Sequence, residues 1–156
     1  MGNNNKHLKR SLIPQFDPNK KVVPKFINQD ATKMYGWKAE GNDANVFISF
    51  RFIQHKVECL SDWTKDEMKL FWNFIERIHE HTWQMVLSQS GKGEQKAGLG
   101  YTPMSRDIYP GDFTKEFDPL VEFFELRISQ KARVHCFRNE SICYVCWLDR
   151  NHNFSN

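Results

Sequence analysis

The last third of the chain, Phe123 to Phe154, restricts the fold more than any other stretch. FFELRI (123–128) and ARVHCFR (132–138) alternate apolar and polar side chains with a period of two, and ICYVCWL (142–148) is a half-buried run rich in β-formers. Three such runs in succession predict a meander of antiparallel strands, with Asn139, Glu140 and Ser141 marking the last turn. A two-residue loop at Asn139-Glu140 would pair Arg138 with Ser141 and set Cys136 opposite Cys143.

That register sorts the side chains onto two faces. Val134, Cys136, Cys143, Val145 and Trp147 fall on one, a core face joined by Phe124, Leu126 and Ile128. Arg133, His135, Phe137, Ile142, Tyr144 and Cys146 fall on the other, joined by Glu125 and Arg127. A carboxylate, two guanidiniums, an imidazole and a phenol are thereby gathered on one surface. Guanidiniums bind phosphate and offset charge developing in a transition state, while a carboxylate or imidazole takes and returns protons. This is what cleavage of a phosphodiester without metal requires. The plain alternative is that these are solvated residues on the open face of an antiparallel sheet.

Ahead of the meander, residues 1–34 are polar and basic and carry Pro14, Pro18 and Pro24, the composition of a partly disordered arm. Residues 35–156 then form one α+β domain. VFISFRF (46–52) predicts the first strand, with Val46, Ile48, Phe50 and Phe52 on one side. Thr64-Lys-Asp-Glu67 is a capping box, and Met68, Phe71, Trp72, Ile75 and Ile78 recur at helical spacing, so one long helix is expected to reach Val86 or Leu87. Its aromatic stripe reads as core. Residues 88–118, interrupted by Gly91, Gly93, Gly98, Gly100, Pro103, Pro110 and Gly111, read as a long loop, and its glycines lack the spacing of a phosphate-binding loop.

The 156 residues suffice for one domain with a real core, and no apolar run approaches a membrane span. Net charge is +3, but residues 1–25 hold six basic side chains against Asp17 alone, so the remainder is net acidic. Such an arm suits phosphates or an acidic partner, or serves as a solubilising tail. Four cysteines, three of them in one hairpin, point to a reduced, cytoplasmic protein rather than a disulfide framework.

Cys143-x-x-Cys146 has the spacing of a zinc knuckle, but on a strand a spacing of three sends the thiols to opposite faces. No metal and no cofactor are expected. His79 and His81 would stand about 200° apart on a helix, which suits surface or capping residues. His152, just beyond the last strand, can reach the polar face of the sheet.

The element order, together with Leu126-Arg127-Ile128, Arg133-Val134-His135-Cys136-Phe137-Arg138, the apolar run 142–148 and Asp149-Arg150-Asn151-His152, resembles the RelE/YoeB/ParE/HigB superfamily of small bacterial toxins over residues 46–154. The resemblance implies a RelE-like βα(α)βββ fold: an antiparallel sheet of about four strands with one long helix packed on it. Its RNA-cleaving branch acts as ribosome-dependent nucleases that align the 2′-hydroxyl for attack on the adjacent phosphate. Arg127 and Arg133 match family arginines and His152 the C-terminal histidine; Glu125 and His135 join them from strand geometry. The chain departs from the family in its basic arm, its weak second helix and its long loop at 88–118.

Two functional readings follow. One is a toxin-like endoribonuclease of a toxin–antitoxin or phage-defence system, with Arg127, Arg133, His135, His152 and Glu125 as the catalytic set and Lys20, Lys21, Lys92, Lys96 and Tyr144 contacting RNA. Its candidate partners are RNA or the ribosome, and an antitoxin or other protein. The other is a non-enzymatic adaptor of a mobile-element or defence system, engaging its partner through the basic arm and through aromatics such as Tyr35, Trp37 and Tyr101. Convergence of Arg127, Arg133 and His135 in an open groove favours the enzyme; scatter, or pairing with acids on a flat surface, favours the adaptor.

Overall fold

The structure, a computed structural model, describes residues 41–89 and 98–154. The basic arm with Lys20 and Lys21, the aromatics Tyr35 and Trp37, and Lys92 and Lys96 lie outside the described residues. In chain order the elements are β1 (Phe47–Ser49), α1 (Lys65–His79), α2 (Trp83–Ser88), β2 (Thr102–Met104), β3 (Phe123–Arg127), β4 (Arg133–Asn139) and β5 (Ile142–Asp149), with 3-10 turns at Leu60–Asp62, Arg106–Ile108 and Phe113–Glu116.

The chain is α+β, and its last three strands form the predicted meander. The sheet is nonetheless not the expected four-stranded antiparallel one. It has five strands in the order β1-β5-β4-β3-β2, and it is mixed because β1 runs parallel to β5. Phe47 N–H donates to the Ser141 carbonyl, which seats β1 beside the start of β5. At the other edge β2 adds an antiparallel strand on β3 within the segment expected to be a loop. It contains Pro103, which an edge strand tolerates because a missing N–H costs no ladder bond there.

The expected single helix is two. The capping box forms as predicted, Thr64 accepting from Glu67 N–H and Glu67 from Thr64 N–H. At residues 80–82 the backbone leaves the helix because Val46 N–H takes the His81 carbonyl and Trp83 N–H donates to the Ala44 carbonyl. Thr82 then caps α2. Of the expected stripe, Phe71 and Ile78 are buried and Met68 and Ile75 pack beside them, but Phe74 takes the central place and Trp72 is 60% exposed. The first strand is shorter than expected: Val46 and Ile48 join the core beneath the helices, Phe50 is exposed, and Phe52 turns to the opposite core.

The β4–β5 register carries the largest consequence. The turn is Glu140-Ser141, with Glu140 at φ +55°, so Arg138 pairs with Cys143 and Cys136 with Val145. This differs from the expected register by two residues, which preserves the faces. Beyond Cys136 the register shifts, and His135 pairs with Trp147, Val134 with Leu148 and Arg133 with Asp149. Cys146 is the extra residue of a β-bulge, and its carbonyl accepts the Gln54 N–H at 2.7 Å. The bulge turns Trp147 away from the helix-side core, where alternation places it, and puts Asp149 on the face of Arg133 and His135.

Both faces are therefore covered. On one, Phe71, Phe74, Ile78, Trp83 and Val86 of the helices pack on Phe124, Leu126, Val134, Val145 and Leu148. On the other, residues 105–121 lay Tyr109, Phe113 and Phe117 over Phe123, Phe137, Tyr144 and Trp147. Arg106 holds that covering segment: its guanidinium donates to the carbonyls of Thr114, Phe117, Asp118 and Val121 and lies over the Phe123 ring. Among the described residues no helix is long and apolar enough to cross a membrane.

Candidate functional site: a buried charge cluster at the sheet end

Alternation puts Glu125 on β3 and Arg133 and His135 on β4 side by side, and the bulge adds Asp149 from β5. Glu125 pairs across the ladder with His135, and Arg127 with Arg133. The expected open surface is instead nearly closed: Glu125 is 6% exposed, Arg133 9%, and His135 and Asp149 not at all. Ionised groups so far from water hold only if they are paired and hydrogen-bonded.

The pairing runs through Glu125. Its carboxylate lies 3.6 Å from Arg133 Nε and accepts from His152 Nε2 at 3.2 Å. Arg133 Nη1 donates to the carbonyls of Ser129 and Ala132, which ties the guanidinium to the β3–β4 turn. Burial pulls the Arg133 guanidinium below its ordinary pKa; Glu125 opposes this and the neighbouring Arg127 adds to it. Arg127 is half-buried and lies against Gly100, where a Cβ would come 3.0 Å from its Nη2; Gly100 also has φ +60°, so the position suits glycine twice over.

His135 occupies the floor. Its Nδ1 lies 3.0 Å from the Tyr109 hydroxyl, and its Nε2 faces Asp149 Oδ2 at 3.5 Å and Glu125 Oε2 at 3.9 Å without a well-formed hydrogen bond to either. Two carboxylates before Nε2 favour the ring proton there, which leaves Nδ1 to accept from the Tyr109 hydroxyl. Burial pushes the Tyr109 phenol well above its ordinary value, so that hydroxyl keeps its proton. Burial also pushes Asp149 up, but the His135 ring beside it and the hydrogen bonds from the backbone N–H groups of Phe154 and Asn153 outweigh it and hold the carboxyl below the ordinary carboxylate range.

The structure thus brings together four of the five residues expected to act, Glu125, Arg133, His135 and His152, with Arg127 at their border. It does not present them alike. His152 is half-buried and reaches the surface, whereas His135 is sealed beneath Tyr109 and Phe154. Tyr144 shares the face but lies at the far end, buried and stacked on Phe137 at 4.9 Å, so its ring packs the core rather than offering a surface for a base. Arg106, in the segment covering this face, is engaged with backbone carbonyls.

Asp149 and Tyr109 were not anticipated. Tyr109 stands in a segment without periodicity. Asp149 did leave a signal: strict alternation from Cys143 would drive its carboxylate into the apolar face, a conflict that a bulge resolves. The two cysteines of the Cys143-x-x-Cys146 pair lie in opposite cores and are unpaired thiols. Among the described residues no group of three or more His, Cys, Asp or Glu side chains is arranged to hold a metal ion.

A second feature of this sheet end lies on the helix side. A cleft of about 350 Å³ opens between α1 and the β3–β4 turn, lined by Trp63, Leu70, Lys131 and the Glu67–Arg150 ion pair, whose closest atoms are 2.6 Å apart.

Comparisons of the chain with protein-family models, with curated proteins and with solved structures gave no match.

Proposed function

We propose that the chain is a metal-independent endoribonuclease of the toxin-like kind implied by the resemblance, with His152 as the group that moves the proton. The observation that carries this reading is the His152–Glu125 pair: a half-buried imidazole at the rim of the cluster, its Nε2 3.2 Å from a buried carboxylate. Glu125 fixes the ring proton on Nε2, leaves Nδ1 as the free base, and stabilises the imidazolium once it forms. His152 also sits at φ +61°, a left-handed conformation uncommon for a residue with a side chain and enriched at functional sites.

In this reading Nδ1 of His152 takes the proton of the RNA 2′-hydroxyl as its oxygen attacks the adjacent phosphorus. The bond to the 5′ oxygen breaks, that oxygen takes a proton from water, and a 2′,3′-cyclic phosphate remains. Arg127 and Arg133 supply positive charge beside the reacting phosphate. His135, fully buried, supports the floor of the site. The ribosome is the candidate context and an antitoxin the candidate partner.

The test uses the purified full chain with RNA, alone and with ribosomes, in excess chelator. Cleavage that yields 5′-hydroxyl ends and falls by ~100-fold or more in His152→Ala is expected. No cleavage, cleavage indifferent to His152, or cleavage abolished by the chelator would overturn the reading.

A second reading, the non-enzymatic adaptor, is favoured by one observation: Glu125, Arg133, His135 and Asp149 are buried against one another, as in a structural charge network. It predicts a partner bound with unchanged affinity by His152→Ala.

A further inference from the structure

We propose that Asp149 is a positioning residue. Its carboxylate folds the C-terminal turn into a clasp, and that clasp delivers the His152 ring to Glu125. Three observations meet here. The bulge at Cys146 puts Asp149 on the charged face at the end of β5, fully buried and opposite Arg133. Its two oxygens then accept two successive backbone donors, Asn153 N–H on Oδ1 at 2.8 Å and Phe154 N–H on Oδ2 at 3.0 Å. A chain whose residues 153 and 154 are both drawn back to residue 149 must reverse in between. His152 lies within that reversal, at positive φ.

The reversal is locked from above. The Phe154 ring sits edge-on to His135 at 5.0 Å and contacts Tyr109 at 5.5 Å and Trp147 at 5.9 Å. Phe154 thereby closes the aromatic layer over His135 while His152, two residues earlier, points back across two strands to Glu125 on β3. The Asp149 carboxylate also faces His135 Nε2, at 3.5 Å. One buried acid therefore ties the floor of the cluster to the only part of its rim that carries an imidazole among the described residues. An ionised carboxylate suits this duty because it accepts in several directions at once, and charge-assisted bonds to N–H groups are stronger than neutral ones.

The kinetic consequence rests on His152 acting as proposed above; the structural consequence does not. The experiment therefore reads the ring and the backbone directly. In Asp149→Asn one oxygen becomes an NH2 group that repels a backbone N–H, with no change in side-chain size. Hydrogen exchange at the Asn153 and Phe154 amides is expected to accelerate at least ~10-fold relative to the β4 amides, which report global stability. By ¹⁵N resonance the His152 ring is expected to pass from a single Nε2–H tautomer to a mixture. If RNA is cleaved, kcat falls and KM is unchanged.

Unchanged amide protection and an unchanged His152 tautomer in a folded Asp149→Asn protein would overturn the proposal. If that variant does not fold, Phe154→Ala decides. It removes the lock but leaves the acid, and the same loosening of the His152 ring is expected; a retained single tautomer would overturn the clasp. Absence of RNA cleavage with both signals as expected would count against the nuclease and leave the clasp standing.

Discussion

The two faces of the sheet are both buried, but by different means. On the helix side, apolar side chains at helical spacing meet apolar side chains at strand spacing, and the cover is regular structure. On the other side the cover is residues 105–121, two 3-10 turns and irregular chain. Their backbone carbonyls are gathered by Arg106 and their rings fill the space above β3–β5. The first arrangement needs only the hydrophobic effect and helix hydrogen bonds. The second uses a cation to gather mostly half-buried carbonyls that no ladder reaches; of the four, those of Phe117 and Val121 have no backbone donor besides it among the described residues, while Thr114 and Asp118 also accept the N–H groups of Phe117 and Val121. The charge cluster lies on the second face, at the end where the aromatic cover gives way to the C-terminal turn.

If both faces are true cores, truncating a ring in either costs alike. Phe74→Ala beneath the helices and Phe123→Ala beneath the irregular cover are each expected to destabilise by about 3–5 kcal/mol, read from urea unfolding. A loss below about 1 kcal/mol for Phe123→Ala would show the second face to be loosely packed.

The next largest effect belongs to the irregular cover alone. Arg106→Ala strips donors from four carbonyls and is expected to cost about 3 kcal/mol. Arg106→Lys should recover little, since an ammonium cannot fork to four acceptors. Hydrogen exchange should rise across 105–121 and leave α1 protected; uniform acceleration would mean that the two faces unfold as one.

These contrasts also explain what the sequence made legible. The meander and the sharing of one face by Glu125, Arg127, Arg133 and His135 followed from a period of two, and the capping box from a four-residue motif, both of which survive in any single chain. The two-residue error in the β4–β5 register did no harm, because faces repeat every two residues. The bulge at Cys146 did: one added residue moved Trp147 and Asp149 across the sheet, and with Asp149 went the view of the C-terminal clasp. Strand β2 was illegible because three residues paired with β3 are too few to show a period, and the cover over the second face because hydrogen bonds to Arg106 and ring packing hold it, and neither leaves a period. The break between α1 and α2 was hidden likewise, since residues 44–46 draw the backbone out of the helix.

Smaller effects sharpen the helix side. Thr64→Ala removes the acceptor for Glu67 N–H and should cost about 1 kcal/mol. The smallest effect is expected from Glu67 itself, whose carboxyl is lowered from 4.5 to about 2, first by the hydrogen bond from Arg150. A carboxyl depressed on folding adds stability above its unfolded value, and that stability is lost as pH falls from about 4.5 towards 2. Asp149 acts in the same direction on the other face. Thermal melting across this window should therefore show a shallower acid loss in Glu67→Gln than in the native chain; identical slopes would mean that the Glu67–Arg150 pair contributes nothing in solution.

The most direct measurement is growth of a bacterium after induced expression of the full chain, native beside His152→Ala, with total RNA mapped at its 5′ ends. His152 is half-buried at the rim, so its loss should leave the fold intact. Growth arrest with new 5′-hydroxyl ends is expected in the native culture, and normal growth with intact RNA in the variant at equal soluble level. Arrest and cleavage that persist without His152 would contradict it.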